Sequence, residues 1–163
     1  MQEFKKLLFH VPRHSAAGDA GITLLRLMLG LTMLLAHGVP KVTNYLMLSA
    51  AFPDPYGISS TLSLMLAIFA EFFCSLLLIL GLLTRPALVA LAFTMFTAFF
   101  VVHRADPFSN KELALLYLVG FMVLFITGPG RISLDVIVQE ALATQKSEKP
   151  ENDNQNPSYG NKD

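Results

Sequence analysis

The chain has 163 residues, of which 53% are hydrophobic and 15% charged, with zero formal net charge. A soluble domain carries about 25% charge, so a soluble globular fold is excluded, as is disorder over the whole length. The mean hydropathy of +0.53 agrees. Four apolar runs, 22–39, 62–83, 86–102 and 113–127, hold 72 residues and only two of the 24 charges, Arg26 and Glu71. This is the pattern of a small polytopic membrane protein. Cys74 is the sole cysteine, which excludes dithiol exchange within the chain. With no net charge and no basic patch, nucleic acid is not a partner; the lipid bilayer is.

The first element is an amphipathic segment over 4–11. Phe4, Leu7, Leu8 and Val11 share one face, and Lys5 and Lys6 the other. Span one follows at about 22–39 and covers about 27 Å at helical rise, close to the hydrocarbon thickness. It is read as a retained span, because signal-peptide apolar regions are seldom interrupted by an arginine. The loop 40–61 has a turn-rich centre, Phe52-Pro53-Asp54-Pro55-Tyr56-Gly57, and 41–51 has room for a short surface helix.

Span two, 62–83, and span three, 86–102, are separated only by Thr84 and Arg85 and form a tight hairpin, with Pro86 in a helical first turn. Span four runs over about 112–128 and stops at Gly128-Pro129-Gly130. Ser133 is placed to N-cap an amphipathic helix over 133–144, with Asp135 in its first turn. Residues 145–163 have no apolar period and read as a disordered tail. The fold class is therefore all-α: a four-transmembrane-helix bundle with short interfacial helices at both ends, divided as 1–20, 21–132, 133–144 and 145–163.

Four spans put both termini on one side. Lys5, Lys6, Arg13, Arg85 and Arg131 gather there, against Lys41, Arg104 and Lys111 opposite. The positive-inside rule then places both termini in the cytoplasm, with Arg85 and Arg131 as topology anchors. No tryptophan is present, so any interfacial aromatic belt rests on Tyr45, Tyr56 and Tyr117. No internal repeat is visible.

Charges inside a bilayer cost about 2.5–3.5 kcal/mol each and therefore tend to pair. Arg26 and Glu71 are the candidate intramembrane pair. Such a pair either fixes the packing of spans one and two, or makes Glu71 a proton-relay or ligand carboxylate with Arg26 as its counter-ion or an anion clamp; alternatively, Arg26 snorkels to the cytoplasmic headgroups. Arg26, Gly30, Met33 and His37 share a helical face, and Gly30 allows close helix approach. Glu71, Ser75 and Leu78 do the same on span two. A second candidate cluster gathers at the outer level: His37, Lys41, His103, Arg104, Asp106 and Glu112, joined by Lys111. It is either a set of ordinary interfacial groups or a quinone-headgroup or proton-coupled site. Two histidines at one level also admit bis-histidine haem or a metal, but no spacing matches a metal motif, so no metal is assigned and haem is disfavoured. The phenylalanines of spans two and three either pack and face lipid or line an apolar pocket.

The order of several motifs carries a resemblance: Arg-Leu-Met-Leu-Gly (26–30), His-Gly-Val-Pro-Lys (37–41), Ala-Glu (70–71), Gly-Leu-Leu-Thr-Arg (81–85), His103 with Asp-Pro-Phe (106–108), Glu-Leu-Ala-Leu-Leu-Tyr (112–117) and Gly-Pro-Gly-Arg-Ile-Ser-Leu-Asp (128–135). In this order the chain resembles the DoxX family of bacterial membrane proteins from about Gly21 to Asp135, with only the tails outside. The resemblance implies a four-helix protein of the bacterial inner membrane. Family members are linked to thiosulfate:quinone oxidoreductase as a small membrane subunit, and to complexes that handle thiol and oxidative stress. Most members have no established activity, and the family supplies no agreed catalytic set. Its recurring motifs contain Arg26, His37, Lys41, Glu71, Arg85, His103, Glu112, Arg131 and Asp135 here.

Two readings follow. In the first, the chain is a small membrane subunit of a quinone-linked or thiol-related oxidoreductase, working with a partner oxidoreductase. Glu71 or Glu112 would move protons, and His37 or His103 would meet a quinone oxygen. The chain shows no flavin, iron–sulfur or dinucleotide motif, so no cofactor is evident in it and quinone is the compatible one. In the second, it is a carrier of small solutes or lipids, or an assembly subunit. A carrier of four spans would need a homodimer to build a pathway.

Overall fold

The computed structural model describes residues 15–147, with side chains as far as residue 142. The segment 4–11 and residues 148–163 of the tail lie outside that range. Among the described residues the chain is entirely helical, in six elements: α1 (Ala16–Thr43), α2 (Tyr45–Leu48), α3 (Ser60–Leu80), α4 (Thr84–Val102), α5 (Phe108–Thr127) and α6 (Leu134–Ser147). α1, α3, α4 and α5 are each long and apolar enough to cross a membrane. The protein is thus an all-α membrane protein with four spanning helices. Each spanning helix starts before its apolar run, since backbone hydrogen bonding continues past the apolar boundary, whereas α3 ends at Leu80, before its run does. Two ends of the bundle can be distinguished. The proximal end holds residues 16–19, 81–85 and 128–135. The distal end holds the 44–59 loop and residues 103–107.

The proximal end explains much of the motif order. Gly81, at φ +67°, ends α3, with the Leu82 amide bonded to the Leu77 carbonyl at 3.0 Å and the Gly81 amide to Leu78 at 3.1 Å. The chain turns through Leu83, at φ +47°, into α4. The connector is therefore Gly81–Leu83, and Thr84 and Arg85 already belong to α4. The free amides of this turn are capped from a distance: Asp135 accepts from the Leu83 amide at 2.8 Å and the Thr84 amide at 3.0 Å. The Asp135 amide returns a bond to the Gly81 carbonyl at 2.8 Å. Asp135 thus occupies the first turn of α6, as expected, but its carboxylate serves α4. Ser133 does not act as the expected cap; its hydroxyl donates to the Gly130 carbonyl at 3.0 Å and holds the turn that precedes α6.

Arg26 also belongs to this end. It is 2% exposed, its Nη2 donates to the Ile132 carbonyl at 2.6 Å, and it lies in the field of Asp135. A Cβ at Gly81 would collide with the Arg26 guanidinium, so glycine is required there twice, for conformation and for space. Asp19, also buried, has Arg131 Nε 3.7 Å from its Oδ2.

Three of the spanning helices widen into π-helical turns, at Leu34–Gly38 in α1, Phe69–Cys74 in α3 and Ala98–Val102 in α4. The first has a local cause. Pro40 offers no amide and would clash with the preceding turn of a regular helix. The Val39 amide bonds back to Leu34, five residues earlier, and the turn opens. The first two π-turns lie against each other, and a Cβ on Gly38 would sit 2.5 Å from the Glu71 carbonyl oxygen.

The core joins Met33, Cys74, Leu78, Ala87, Leu88, Leu91, Met95, Tyr117, Phe121 and Leu124. Tyr117, expected at an interfacial belt, is instead buried here at 6% exposure, because its ring faces inward between Phe121 and His37. Outward positions such as Leu24, Leu35, Leu76, Val89, Leu116 and Ile126 are exposed and apolar, as a lipid-facing surface requires.

Candidate functional site

In the distal half the four spanning helices enclose a cavity of about 540 Å³. Its walls come from the end of α1, the 52–58 loop, α3, α4 and the start of α5. Most of the lining is apolar, including Leu66, Phe69, Phe93, Met95 and Leu113. Polar groups are few: His37, Lys41, Glu71 and His103, with Tyr56, Ser63, Thr94, Thr97, Asn110 and Tyr117 beside them. An apolar enclosure with a few convergent polar side chains is the usual form of a small-molecule site.

The charged part of the wall is built by the paired π-turns. Gly38 lets the α1 backbone rest on α3 at Glu71, and Lys41 follows one turn later. The Lys41 ammonium donates to Glu71 Oε2 in a direct ion pair. The Glu71 side chain is 5% exposed, and that of Lys41 19%. Burial of either group alone would be costly, and the direct contact offsets that cost for both. His37, in the first π-turn, meets the Tyr117 ring edge-on at 5.7 Å between centroids. π-turns recur at functional sites because they redirect side chains from the regular helical ladder; here they bring His37 and Glu71 into one cavity.

His103 stands at the distal rim, where α4 ends. Its Nδ1 is 2.8 Å from Asp106 Oδ2, and both side chains are about two-fifths exposed. Asp106 fixes the imidazole through one ring nitrogen, which leaves the other for a ligand or water. The 52–58 loop covers the distal side. Tyr56 hydroxyl and Thr97 Oγ1 are 2.8 Å apart, and the Tyr56 ring stacks on Phe93 at 6.1 Å. Asp54 holds the loop to the start of α3. It accepts from the Ile58 amide at 3.0 Å, the Ser59 amide at 2.8 Å and the Ser63 hydroxyl at 3.0 Å. These bonds secure Ser59, which caps α3 from a strained φ of +101°. Desolvation raises the pKa of Asp54, but the hydrogen bonds from Ser59, Ser63, Ile58 and Gly57 outweigh it and hold the carboxyl below its ordinary range.

The structure does not bring Arg26 to Glu71. Glu71 lies ten residues before Gly81, about 15 Å along the helix, whereas the Ile132 carbonyl and Asp135 are at hand for Arg26. The expected intramembrane pair therefore resolves into two separate arrangements at opposite ends. Glu71 instead joins the expected distal cluster. Within that cluster His37, Lys41 and His103 share the cavity, and Asp106 is bonded to His103. Arg104 is exposed, its carbonyl accepting from Lys111 at 3.3 Å, and Glu112 is exposed and lines no part of the cavity. Arg85 and Arg131 both lie at the proximal end. Among the described residues no three His, Cys, Asp or Glu side chains gather closely enough to hold a metal ion. Sequence reasoning missed Tyr117, Tyr56 and Thr97 as parts of the site. Tyr56 lies in the turn-rich loop and Tyr117 closes the 112–117 motif, but nothing in the local pattern marks Thr97.

Comparison with known proteins agrees with the motif order. The DoxX family profile matches residues 21–104. Two uncharacterized proteins of Haemophilus influenzae are similar. One is 27% identical over 99 residues, covering 58% of this chain and 66% of its own length; the other is 34% identical over 110 residues, covering 63% and 80%. No solved structure matches the chain. With a family profile spanning more than half the sequence and a four-span helical fold, the chain belongs to the DoxX family.

Proposed function

We propose that the distal cavity binds a quinone and that the chain is a small membrane subunit of a quinone-linked oxidoreductase system. The observation that supports this most is the Lys41–Glu71 ion pair in the wall of a largely apolar cavity within the spans. The donor set suits a quinone ring. Lys41 is a strong donor for a carbonyl oxygen, while His37 from α1, His103 at the end of α4 and Asn110 from α5 offer further polar contacts in the cavity. A bound quinone supplies two-electron chemistry coupled to two protons. With a quinone bound, Glu71 Oε2 would accept and Lys41 Nζ would donate a proton, and the exposed His103–Asp106 pair would exchange protons with water at the distal rim. The chain has no redox centre of its own motif type, so electrons come from a partner oxidoreductase.

Under this proposal the protein resides in the bacterial inner membrane with both termini cytoplasmic, as the lysine and arginine distribution favours. The distal cavity then lies in the outer half of the bilayer. The test is purification in mild detergent, followed by an absorbance spectrum and extraction of bound quinone. Stoichiometric quinone, with or without a co-purifying oxidoreductase, is expected. A protein that carries neither quinone nor haem and brings down no oxidoreductase overturns the reading in favour of a lipid or solute carrier or an assembly subunit.

A further inference from the structure

The cavity carries the Lys41–Glu71 pair in its wall, and apolar residues of the same wall are exposed on the spanning helices. The middle of α3, Phe69–Cys74, packs against α4, whereas the distal part, Ser60–Ile68, packs on Val39–Thr43 and α2 instead. The distal halves of α3 and α4 therefore part. Three residues at this parting line the cavity and are also exposed: Leu66 and Phe69, at 53% and 55%, and Phe93, at 57%, which carries the Tyr56 ring of the 52–58 loop on one side. All three are apolar, and all lie within spanning helices. On the distal side, by contrast, the 52–58 loop is pinned by the Tyr56–Thr97 bond, the Tyr56–Phe93 stack and the Asp54 hydrogen bonds.

From this arrangement we infer that the opening between the distal halves of α3 and α4 is a lateral portal, and that the ligand is a membrane-resident amphipath. Its headgroup reaches the Lys41–Glu71 pair while its hydrocarbon tail lies in the portal against Leu66, Phe69 and Phe93. An aqueous solute has no use for an apolar mouth inside the bilayer. A tailed ligand loses nothing there, because its chain passes from lipid to an equally apolar wall. The loop closes the water side and the portal leaves the membrane side open, so ligand exchange proceeds sideways from the bilayer. This inference rests on the quinone reading of the cavity.

The test compares two probes in protein reconstituted into nanodiscs: a quinone with a long isoprenoid tail and the same ring without a tail. Leu66→Trp narrows the portal from a lipid-facing position. Phe69→Trp does the same from the neighbouring turn and serves if the first variant does not fold. The expected result is tighter binding of the tailed quinone by wild type. Each folded portal variant should weaken the tailed probe by about tenfold or more and leave the tail-less probe within about twofold. Equal weakening of both probes, or no change in either, overturns the portal while the cavity reading stands. If wild type binds neither probe, the quinone reading itself fails, and the portal with it.

Discussion

At the scale of single residues, the charges that the sequence makes conspicuous are explained by partners it does not make conspicuous. Arg26 and Glu71 stand out because each is alone in an apolar run. Their partners, Ile132 and Asp135 for one and Lys41 for the other, come from flanking segments whose position depends on how the helices pack. A hydrogen bond from a charged group contributes about 1.5–3 kcal/mol. Arg26→Ala, which removes the bond to the Ile132 carbonyl, should lower the unfolding free energy in detergent by about that amount. Asp135→Ala, which uncaps the Leu83 and Thr84 amides, should cost about 1–2 kcal/mol. Because Arg26 lies in the field of Asp135, a double-mutant cycle should show less than additive loss; strict additivity would mean that the two do not interact. Asp54 yields a pH prediction. Its folded pKa is depressed, so its contribution to stability is present above the unfolded value of about 3.9 and is lost as pH falls through the lower folded value. Thermal midpoints of wild type and Asp54→Asn should differ at neutral pH and converge in acid. A difference that persists unchanged into acid would contradict this.

At the scale of elements, the four spans were legible because an apolar run of membrane length has few alternatives. The α3–α4 hairpin was legible for the same reason, with its connector displaced to Gly81–Leu83 by glycine geometry and by the remote cap from Asp135. The π-turns were not legible. Periodicity over a single turn does not distinguish five-residue from four-residue hydrogen bonding, and the Leu34–Gly38 turn depends on how Pro40 is accommodated. These turns nevertheless decide where His37 and Glu71 point. Gly38→Ala is expected to cost about 1–3 kcal/mol, because the added Cβ meets backbone at Glu71. Gly30→Ala should cost less, since its Cβ meets Ile79 Cγ1 at 2.7 Å and a side chain can turn away. Thermal unfolding of the two variants in one detergent checks the order, which would be reversed if the π-turn contact were loose.

At the scale of the whole molecule, the bundle divides its labour between its ends. The proximal end is a lock of short turns and buried charge built around Arg26, Gly81 and Asp135. The distal end splays and holds the cavity. The sequence marked His37, Lys41 and His103 at one level, but the enclosing wall of Tyr117, Thr97 and Tyr56 depends on tertiary packing. Orientation is directly measurable. In a Cys74→Ser background, a membrane-impermeant thiol reagent should label a cysteine at Asn44 in intact spheroplasts and one at Arg131 only after lysis. The opposite pattern would reverse the proposed topology.

The central claim is that the cavity holds a quinone at the Lys41–Glu71 pair. The decisive measurement is the quinone content of purified wild type beside a Lys41→Gln/Glu71→Gln double variant. Removing both charges together leaves neither one buried alone, so the double variant should fold, and its thermal midpoint beside that of wild type checks this. We predict stoichiometric quinone in wild type and its loss in the folded double variant. Equal quinone content in both, or none in wild type, would contradict the claim.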